Sequence, residues 1–305
     1  MGRKFRRAFF ISFLCFIILY GLIGYYTVKK RNPDVTLGKN IENKDEILFL
    51  VLGIDGNDMT EATDVRTDTM MLAKLNFKSG ELSILSIPRD TRVMLKSGEY
   101  AGKINAAHKL GGAEESIKTV KELLDIDLEY YVKIDYQFVR EVVDLIGGVE
   151  MDIPFHMKYD DISDEPPLHI DIEEGRQVLD GDKAIQFLRY RKSNDGSGGY
   201  KEGDVGRIKA QQEFIKAFMG QVLKPSNILK SPMAISKYYK YVETNIPMKI
   251  AFKGAFSGRK IDTEDLNINT LPGEGRYIDG ISYFIHYEEP TQALIKEMFE
   301  NHILN

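Results

Sequence analysis

A long apolar run near the N-terminus limits the possible architectures of this chain more than any other feature. Residues 8–28 are apolar at every position except Ser12, Gly21, Gly24 and Thr27. As an α-helix this run would be about 31 Å long, which matches the hydrocarbon thickness of a bilayer, about 30 Å. A secretory signal would have a shorter apolar region and a small-x-small cleavage site behind it. Residues 24–28 hold no such site, so we predict a single uncleaved transmembrane helix.

The charges around this run predict its orientation. Four basic residues precede it and three follow it: Arg3, Lys4, Arg6 and Arg7, then Lys29, Lys30 and Arg31. Together with the amino terminus, this bias places the N-terminus in the cytoplasm. We therefore expect a cytoplasmic basic segment over 1–7, a transmembrane helix over 8–28, an extracellular linker over 29–45 and one folded domain over 46–305. The protein would then be a single-pass protein of the cell membrane with its folded domain outside the cell.

The charge balance of the remaining chain excludes one class of partner. Residues 1–31 contain seven Lys or Arg and no acid. The rest of the chain therefore holds 34 basic and 46 acidic residues. Proteins that bind nucleic acid neutralise phosphates with a basic surface, and we therefore predict no nucleic-acid partner. The single cysteine, Cys15, lies within the apolar run, so the sequence also excludes a disulfide framework and a cysteine-based zinc site.

The pattern beyond residue 45 predicts alternating strands and helices. Residues 47–54 form a continuous apolar run that ends at Asp55, which is typical of a buried strand. A hairpin is predicted from 69–76 and 82–87. Further strands are expected at 129–134, 149–153, 266–271 and 281–287, and helices at 113–124, 137–146, 180–188, 208–222, within 226–257 and at 291–303. This order predicts one α/β or α+β sandwich, with a glycine-rich stretch at 193–206 between two helices.

Acids and arginines concentrate in four short segments of this domain, which are 53–55, 66–69, 86–92 and 189–191 together with 204–207. Ten arginines lie beyond residue 31, and six of them fall in these segments: Arg66, Arg89, Arg92, Arg189, Arg191 and Arg207. Guanidinium groups bind phosphate oxygens in pairs and keep their charge, so such a cluster is suited to a pyrophosphate. Asp55 and Asp68 are expected at strand ends, and Mg²⁺ uses one or two carboxylates beside phosphates. The composition of these segments therefore indicates phosphoryl chemistry.

Each of these signals also has an ordinary structural explanation. An isolated Arg-x-Arg is usually solvated, and an aspartate after a strand is usually a turn or cap residue. The stretch 193–206 could be a flexible surface loop, and it lacks the Gly-Lys-Ser/Thr ending of a P-loop. His108 is expected to be a core or capping residue rather than a ligand.

Read in order, these segments resemble the LytR-CpsA-Psr family of Gram-positive envelope proteins. The matching blocks are LGID (52–55), RTDTMML (66–72), SIPRDT (86–91), KINAAH (103–108), GG (111–112), DLIGGVEMDI (144–153), LDGDKAIQFLRYR (179–191), DVGRIKAQQ (204–212) and LPGEG (271–275). The resemblance implies an α/β/α sandwich with a central mixed β-sheet and a single N-terminal transmembrane helix. It also implies a magnesium-dependent phosphotransferase that moves a teichoic acid, capsular or other glycopolymer from an undecaprenyl-pyrophosphate carrier in the membrane to peptidoglycan.

The resemblance also implies roles for individual residues. It places Mg²⁺ on Asp55 and Asp68. It assigns the pyrophosphate to Arg66, Arg89, Lys103, Arg189, Arg191 and Arg207, and the catalytic positions to Arg89, Asp90 and Asp204. A hydrophobic pocket would hold the polyprenyl tail.

Two departures from the family pattern are visible, and two other functions stay open. Ala210 stands where the family often has another arginine, and the spacing from Arg191 to Asp204 is longer than usual. The same residues could serve a polyprenyl-pyrophosphate hydrolase, in which water replaces the glycan hydroxyl. They could also serve a membrane-bound regulatory protein that binds lipid-linked polymer without turnover.

Overall fold

A computed structural model of the chain describes residues 45–54, 67–96, 98–162, 167–196, 198–201, 204–228, 241–262 and 266–304. The predicted cytoplasmic segment and transmembrane helix, and all of the predicted linker except Asp45, lie outside these residues. Within the described ranges no helix combines the length and apolar character needed to cross a bilayer.

The strands alternate with helices along the described chain. The strands are β1 (Glu46–Ile54), β2 (Thr67–Asn76), β3 (Leu82–Ser86), β4 (Arg92–Leu95), β5 (Tyr100–Lys103), β6 (Tyr130–Asp135), β7 (Val149–Ile153), β8 (Met157–Asp161), β9 (Leu168–Ile172), β10 (Gly175–Leu179), β11 (Val242–Thr244), β12 (Asn267–Thr270), β13 (Gly273–Ile278) and β14 (Ile281–His286). The helices are α1 (Ala106–Leu124), α2 (Tyr136–Ile146), α3 (Gly181–Arg189), α4 (Asp204–Val222), α5 (Pro225–Ile228), α6 (Met248–Ser257) and α7 (Glu288–Phe299), with 3₁₀ turns at Gly258–Lys260 and Glu300–His302.

Six strands form the central sheet in the order β11-β6-β1-β2-β3-β12. The pairs β1–β6 and β3–β12 are parallel, whereas β1–β2, β2–β3 and β6–β11 are antiparallel. The carboxyl ends of β1, β3, β6 and β12 therefore meet the amino end of β2 along one side of the sheet, which we call the carboxyl edge. In mostly parallel sheets this side is where ligands bind.

Helices cover both faces of the sheet because the strands are apolar on both faces. In β1, Leu48, Leu50 and Leu52 pack in one cluster with residues of α1 and α7. The alternate residue Ile47 packs on the opposite face in a cluster that includes Ile250 of α6. Side chains alternate between faces along a strand, so one apolar run supplies both layers. The prediction of a mixed central sheet with helices is confirmed.

A second cluster packs α2, α3 and α4 against β7 and the β8–β9 hairpin. Gly181, at the start of α3, lies against α2, where an added Cβ would come within 2.4 Å of the Arg140 carbonyl oxygen. The Gly181 backbone N–H also donates to the Asp144 carboxylate at 2.8 Å. Asp180 caps α3 by accepting a hydrogen bond from the Lys183 N–H at 2.8 Å. These contacts fix the direction of α3, which ends at Arg189.

Most predicted elements are present, and the differences have local causes. The hairpin from 69–76 and 82–87 is β2–β3, and the helix at 137–146 is α2. The helix predicted at 113–124 is the second part of α1, because Gly111 and Gly112 have non-helical backbone angles that separate it from a first part that begins at Ala106. The helix predicted at 208–222 begins earlier, at Asp204. The hairpins β4–β5 and β8–β9 were not predicted, since their strands are only four or five residues long.

Leu50 offers a test of this core, because its side chain is fully buried. We expect Leu50→Ala to lower the free energy of unfolding by about 2–5 kcal/mol, since it removes apolar contact and leaves a cavity. Val178→Ala in β10 is the matched control, because that side chain is 58% exposed. Urea unfolding followed by circular dichroism measures both, and equal stability of the two variants would contradict the assignment of the core.

Candidate functional site

The carboxyl edge brings together an aspartate and an arginine from two of the predicted segments. Asp68 lies at the start of β2, and Arg89 follows the end of β3. The pairing of these strands extends to Ile87, whose N–H donates to the Met70 carbonyl at 2.9 Å. As a result, Nη1 of Arg89 contacts Oδ1 of Asp68 at 2.5 Å. Both side chains are only partly exposed, at 26% and 32%, so the pair is shielded from bulk water but accessible to a ligand.

The backbone that carries Arg89 is held by four neighbouring hydrogen bonds. Thr91 donates its N–H and its hydroxyl to the Pro88 carbonyl, at 2.9 and 2.6 Å. The carbonyls of Arg89 and Asp90 accept from the N–H groups of Asn105 at 3.2 Å and Phe284 at 2.9 Å. Because these bonds already fix the backbone, a ligand that binds Arg89 would cost little further backbone conformational entropy.

Asp90 is paired with Lys103, which ends β5. The Lys103 Nζ lies 2.8 Å from Oδ1 of Asp90, and the two side chains are 28% and 20% exposed. The ion pair holds the segment after β3 against the β4–β5 hairpin. The ion pair therefore lies next to Arg89 in the chain and limits the movement of this segment.

Arg189 reaches the same edge from α3. Its guanidinium carbon lies 6.0 Å from the centre of the Tyr136 ring, a cation–π distance. Tyr136 directly follows β6, which pairs with β1. The strand ends that precede Tyr136 and Arg89 are three strand spacings apart, about 14 Å. Two of the predicted arginines therefore lie along one edge of one sheet.

Arg207 lies in the first turns of α4 and is 8% exposed. Burial raises the pKa of the neighbouring Tyr200 phenol, whereas the positive charge of Arg207 acts in the opposite direction. Further along α4, Gln212 donates to Thr270 Oγ1 at 3.0 Å, at the end of β12. This bond ties α4 to the carboxyl edge.

Three predicted site residues are described only in part or not at all: Asp55, Arg66 and Asp204. Asp55 and Arg66 lie outside the described residues, although Asp55 directly follows β1 and Arg66 directly precedes β2. Asp204 begins α4, but its side chain is not described. Arg191 is exposed and follows α3 at the start of the glycine-rich stretch.

Similarity to a known protein family decides which family the chain belongs to. The model of the LytR_cpsA_psr family matches residues 24–300. The chain belongs to the LytR_cpsA_psr family. The resemblance seen in the sequence blocks is thereby confirmed.

Individual proteins are also similar to this chain in sequence and in structure. TagV of Bacillus subtilis, named a polyisoprenyl-teichoic acid–peptidoglycan teichoic acid transferase, is 31% identical over 98% of this chain and 78% of TagV. Its crystal structure aligns with a TM-score of 0.67 over 84% of this chain and 98% of that one, at 27% identity. Protein gbs0355 of Streptococcus agalactiae gives a TM-score of 0.74 at 26% identity, over 87% of this chain and 90% of that one. Biofilm regulatory protein A of Streptococcus mutans is 28% identical over 86% of this chain and 65% of its own length.

The two departures from the LytR_cpsA_psr pattern have structural explanations. Ala210 is partly buried and packs against the apolar cluster of α2, α3 and α4. The stretch after Arg191 is folded, because the Ser193 N–H donates to the Gly198 carbonyl at 2.9 Å. Asn194 also exchanges two hydrogen bonds of 2.7 Å with the Asp160 backbone. These hydrogen bonds hold the beginning of the stretch 193–206 against its surroundings.

Tyr200 is a candidate site residue that the sequence analysis missed. Its ring packs against Phe155 and Tyr190, with centroids 5.4 and 6.1 Å away. Its hydroxyl is buried, and no described residue hydrogen-bonds to it. A buried hydroxyl without a described partner next to the charge of Arg207 needs an explanation, and this makes Tyr200 a candidate for mutation. The sequence signal that could have indicated Tyr200 was its aromatic ring within the glycine-rich stretch 193–206.

The Asp90–Lys103 ion pair can be tested with a double-mutant cycle. We expect Asp90→Asn and Lys103→Met to couple by about 1–2 kcal/mol in unfolding free energy, because the pair is mostly shielded from water. The control cycle uses Glu150 and Arg176, which are 2.8 Å apart but fully exposed, and should give a clearly smaller coupling. Equal coupling in the two cycles would show that Asp90 is not held by Lys103.

Proposed function

We propose that this chain is a phosphotransferase that moves an anionic glycopolymer from an undecaprenyl-pyrophosphate carrier to peptidoglycan. The observation that carries the proposal is the Asp68–Arg89 pair at the carboxyl edge, with Arg189 and Arg207 brought towards the same edge by α3 and α4. Cationic groups gathered at one edge are suited to a diphosphate. Membership of the LytR_cpsA_psr family and the activity in the name of TagV support the same reaction.

The arginines supply binding and charge stabilisation. Arg89, Arg189 and Arg207 would hold the diphosphate oxygens through paired N–H groups, with Arg66, Arg191 and Lys103 as further cations of the site. Asp68 keeps the Arg89 guanidinium in place through the contact at 2.5 Å. Because these donors are positioned before the substrate arrives, they can stabilise the charge that develops on the leaving phosphate.

In the reaction, a peptidoglycan hydroxyl attacks the phosphorus that is joined to the polymer. A new P–O bond forms to that oxygen, the P–O bond to the lipid phosphate breaks, and undecaprenyl phosphate leaves. The hydroxyl proton passes to a general base. We assign this function to Asp204, at the start of α4, because the Asp90 carboxylate is already neutralised by Lys103 at 2.8 Å.

The residues at this edge fit a magnesium ion. Asp68 offers a partly exposed carboxylate whose Oδ1 contacts Arg89, and Asp55 directly follows Ile54, which is the register partner of Thr67. Mg²⁺ takes one or two protein carboxylates and completes its shell with phosphate oxygens and water. Held by Asp55 and Asp68, the ion would neutralise charge on the diphosphate.

The proposed substrate also gives the N-terminal segment a function. A polyprenyl carrier is confined to the membrane, so an enzyme anchored by residues 8–28 would stay beside its donor. We therefore place the catalytic domain outside the cell, on a single-pass anchor. The predicted linker over 29–45 has 17 residues and would extend up to roughly 56 Å, which leaves the domain free to reach the bilayer surface.

A regulatory function is the second candidate, because Biofilm regulatory protein A is a relative. A regulator would bind the lipid-linked polymer through the same cations but form no covalent product. A hydrolase would release polymer phosphate whether or not peptidoglycan is present. Analysis of the products with and without a peptidoglycan acceptor separates all three functions.

The first test of this proposal is Arg89→Ala in the full chain, with a synthetic undecaprenyl-pyrophosphate glycan and peptidoglycan oligomers as substrates. We expect the transfer rate to fall by at least about 100-fold, because one preorganised donor to the reacting phosphates is lost. Arg176→Ala, an exposed arginine in β10, is the control and should keep full activity. Transfer by Arg89→Ala at the rate of that control would refute the assignment.

The second test concerns the metal. We expect chelation with EDTA to abolish transfer and added Mg²⁺ to restore it, while Asp68→Asn should need a Mg²⁺ concentration at least about tenfold higher, because one charged ligand is lost. The rate is measured as a function of the free Mg²⁺ concentration. A chelated enzyme that is fully active, or an unchanged Mg²⁺ requirement in Asp68→Asn, would contradict the proposed metal site.

A further inference from the structure

The outer face of the β8–β9 hairpin carries a row of ionisable side chains that the proposed reaction does not use. Met157 pairs with Ile172, and both are buried. Because side chains alternate between the two faces of a strand, the residues between and beside these buried positions point outward. They are His156, Lys158, Asp160, His169, Asp171 and Glu173. Three carboxylates and two imidazoles therefore share one exposed surface.

Three of these side chains converge at the open end of the hairpin. The Nε2 atom of His156 lies 2.7 Å from Oδ1 of Asp171 and 3.9 Å from Oε1 of Glu173. One ligand atom from each residue lies within 4.8 Å of the others. The donors of a tetrahedral zinc ion are about 3.3 Å apart, since the zinc–ligand bonds are about 2.0–2.1 Å long. The two distances from His156 bracket this value, so small side-chain rotations would complete the geometry.

We propose that His156, Asp171 and Glu173 form a surface site for a divalent transition-metal cation of the zinc type. The imidazole nitrogen favours zinc, copper or nickel over magnesium and calcium, which prefer oxygen ligands alone. The two carboxylates balance the two positive charges of the ion. Water would occupy the fourth position, since all three side chains are exposed. This site is separate from the carboxyl edge, and the proposal does not rest on the proposed transferase reaction.

The same face also carries a lysine, whose charge would oppose cation binding, and a second histidine, which serves as a control. Lys158 is the register partner of Asp171, so its ammonium group would weaken cation binding. His169 makes a similar pair with Asp160, at 2.7 Å between Nδ1 and Oδ1. Within the described part of the chain, however, only His156 belongs to a group of three possible metal ligands, with Asp171 and Glu173. The two histidines therefore differ in the presence of a third ligand.

A bound ion would join the two strands of this hairpin. His156 precedes β8, whereas Asp171 and Glu173 lie at the end of β9, so the ion would link the open ends of a two-stranded ribbon. Such ribbons are only marginally stable on their own. At its far end, β8 is bonded to the folded stretch after Arg191 through Asp160 and Asn194. The site would thus stabilise the surface on which that stretch rests.

Isothermal titration calorimetry of the untagged full chain in detergent with ZnCl₂ tests the proposal. We expect saturable binding of one Zn²⁺ that millimolar Mg²⁺ does not displace. His156→Gln should weaken this binding at least about tenfold, because the only nitrogen ligand is lost. Lys158→Gln should strengthen it, since the opposing charge is removed. Circular dichroism checks that each variant is folded.

Two control variants make the outcome decisive. His169→Gln should keep the wild-type zinc affinity within about twofold, because that histidine is not a ligand. Asp68→Asn should also keep it, and this separates the hairpin site from zinc bound at the carboxyl edge. The proposal is overturned if wild-type protein shows no more zinc binding than His156→Gln, or if His169→Gln weakens binding equally. Zinc binding that is lost only in Asp68→Asn would likewise overturn it, while leaving the proposed transferase function unaffected.

Discussion

The antiparallel pairing of β1, β2 and β3 is the constraint on which the proposed site depends. It places the end of β1, the start of β2 and the end of β3 side by side, so residues far apart in the sequence become neighbours in space. The register of β1 and β2 is regular from Glu46–Asn76 to Gly53–Thr69 and shifts between Gly53 and Ile54, so that Asp68 lies at the irregularity without a register partner in β1. Asp68 contacts Arg89 beyond the end of β3 from this position.

In the proposed site, several guanidinium groups near one edge would repel one another in the absence of an anion, and two contacts lower this energy. Asp68 partly neutralises Arg89. The ring of Tyr136 faces Arg189. Under the proposed function, a diphosphate would take over from these internal partners, which is the preorganisation that phosphoryl transfer requires.

The sequence predicted the parts of the site that depend on local patterns. The apolar run before Asp55 and the β2–β3 hairpin predicted where strand ends would place acids and arginines. The three strands β1, β2 and β3 are present. Partners chosen by tertiary packing could not be predicted this way. The ion pair of Asp90 with Lys103 depends on how the β4–β5 hairpin docks, and the burial of Tyr200 depends on how its loop folds back. The boundary predicted at Gly111 and Gly112 is present as a break in the helical backbone, but the helical turns at 106–110 before it were not predicted.

A crystal structure of the chain with a bound polyprenyl pyrophosphate would test the central claim most directly. The account predicts guanidinium nitrogens of Arg89, Arg189 and Arg207 at hydrogen-bond distance, about 2.7–3.2 Å, from oxygens of the same diphosphate at the carboxyl edge. A diphosphate bound on another surface, or these three side chains turned away from it, would contradict the account.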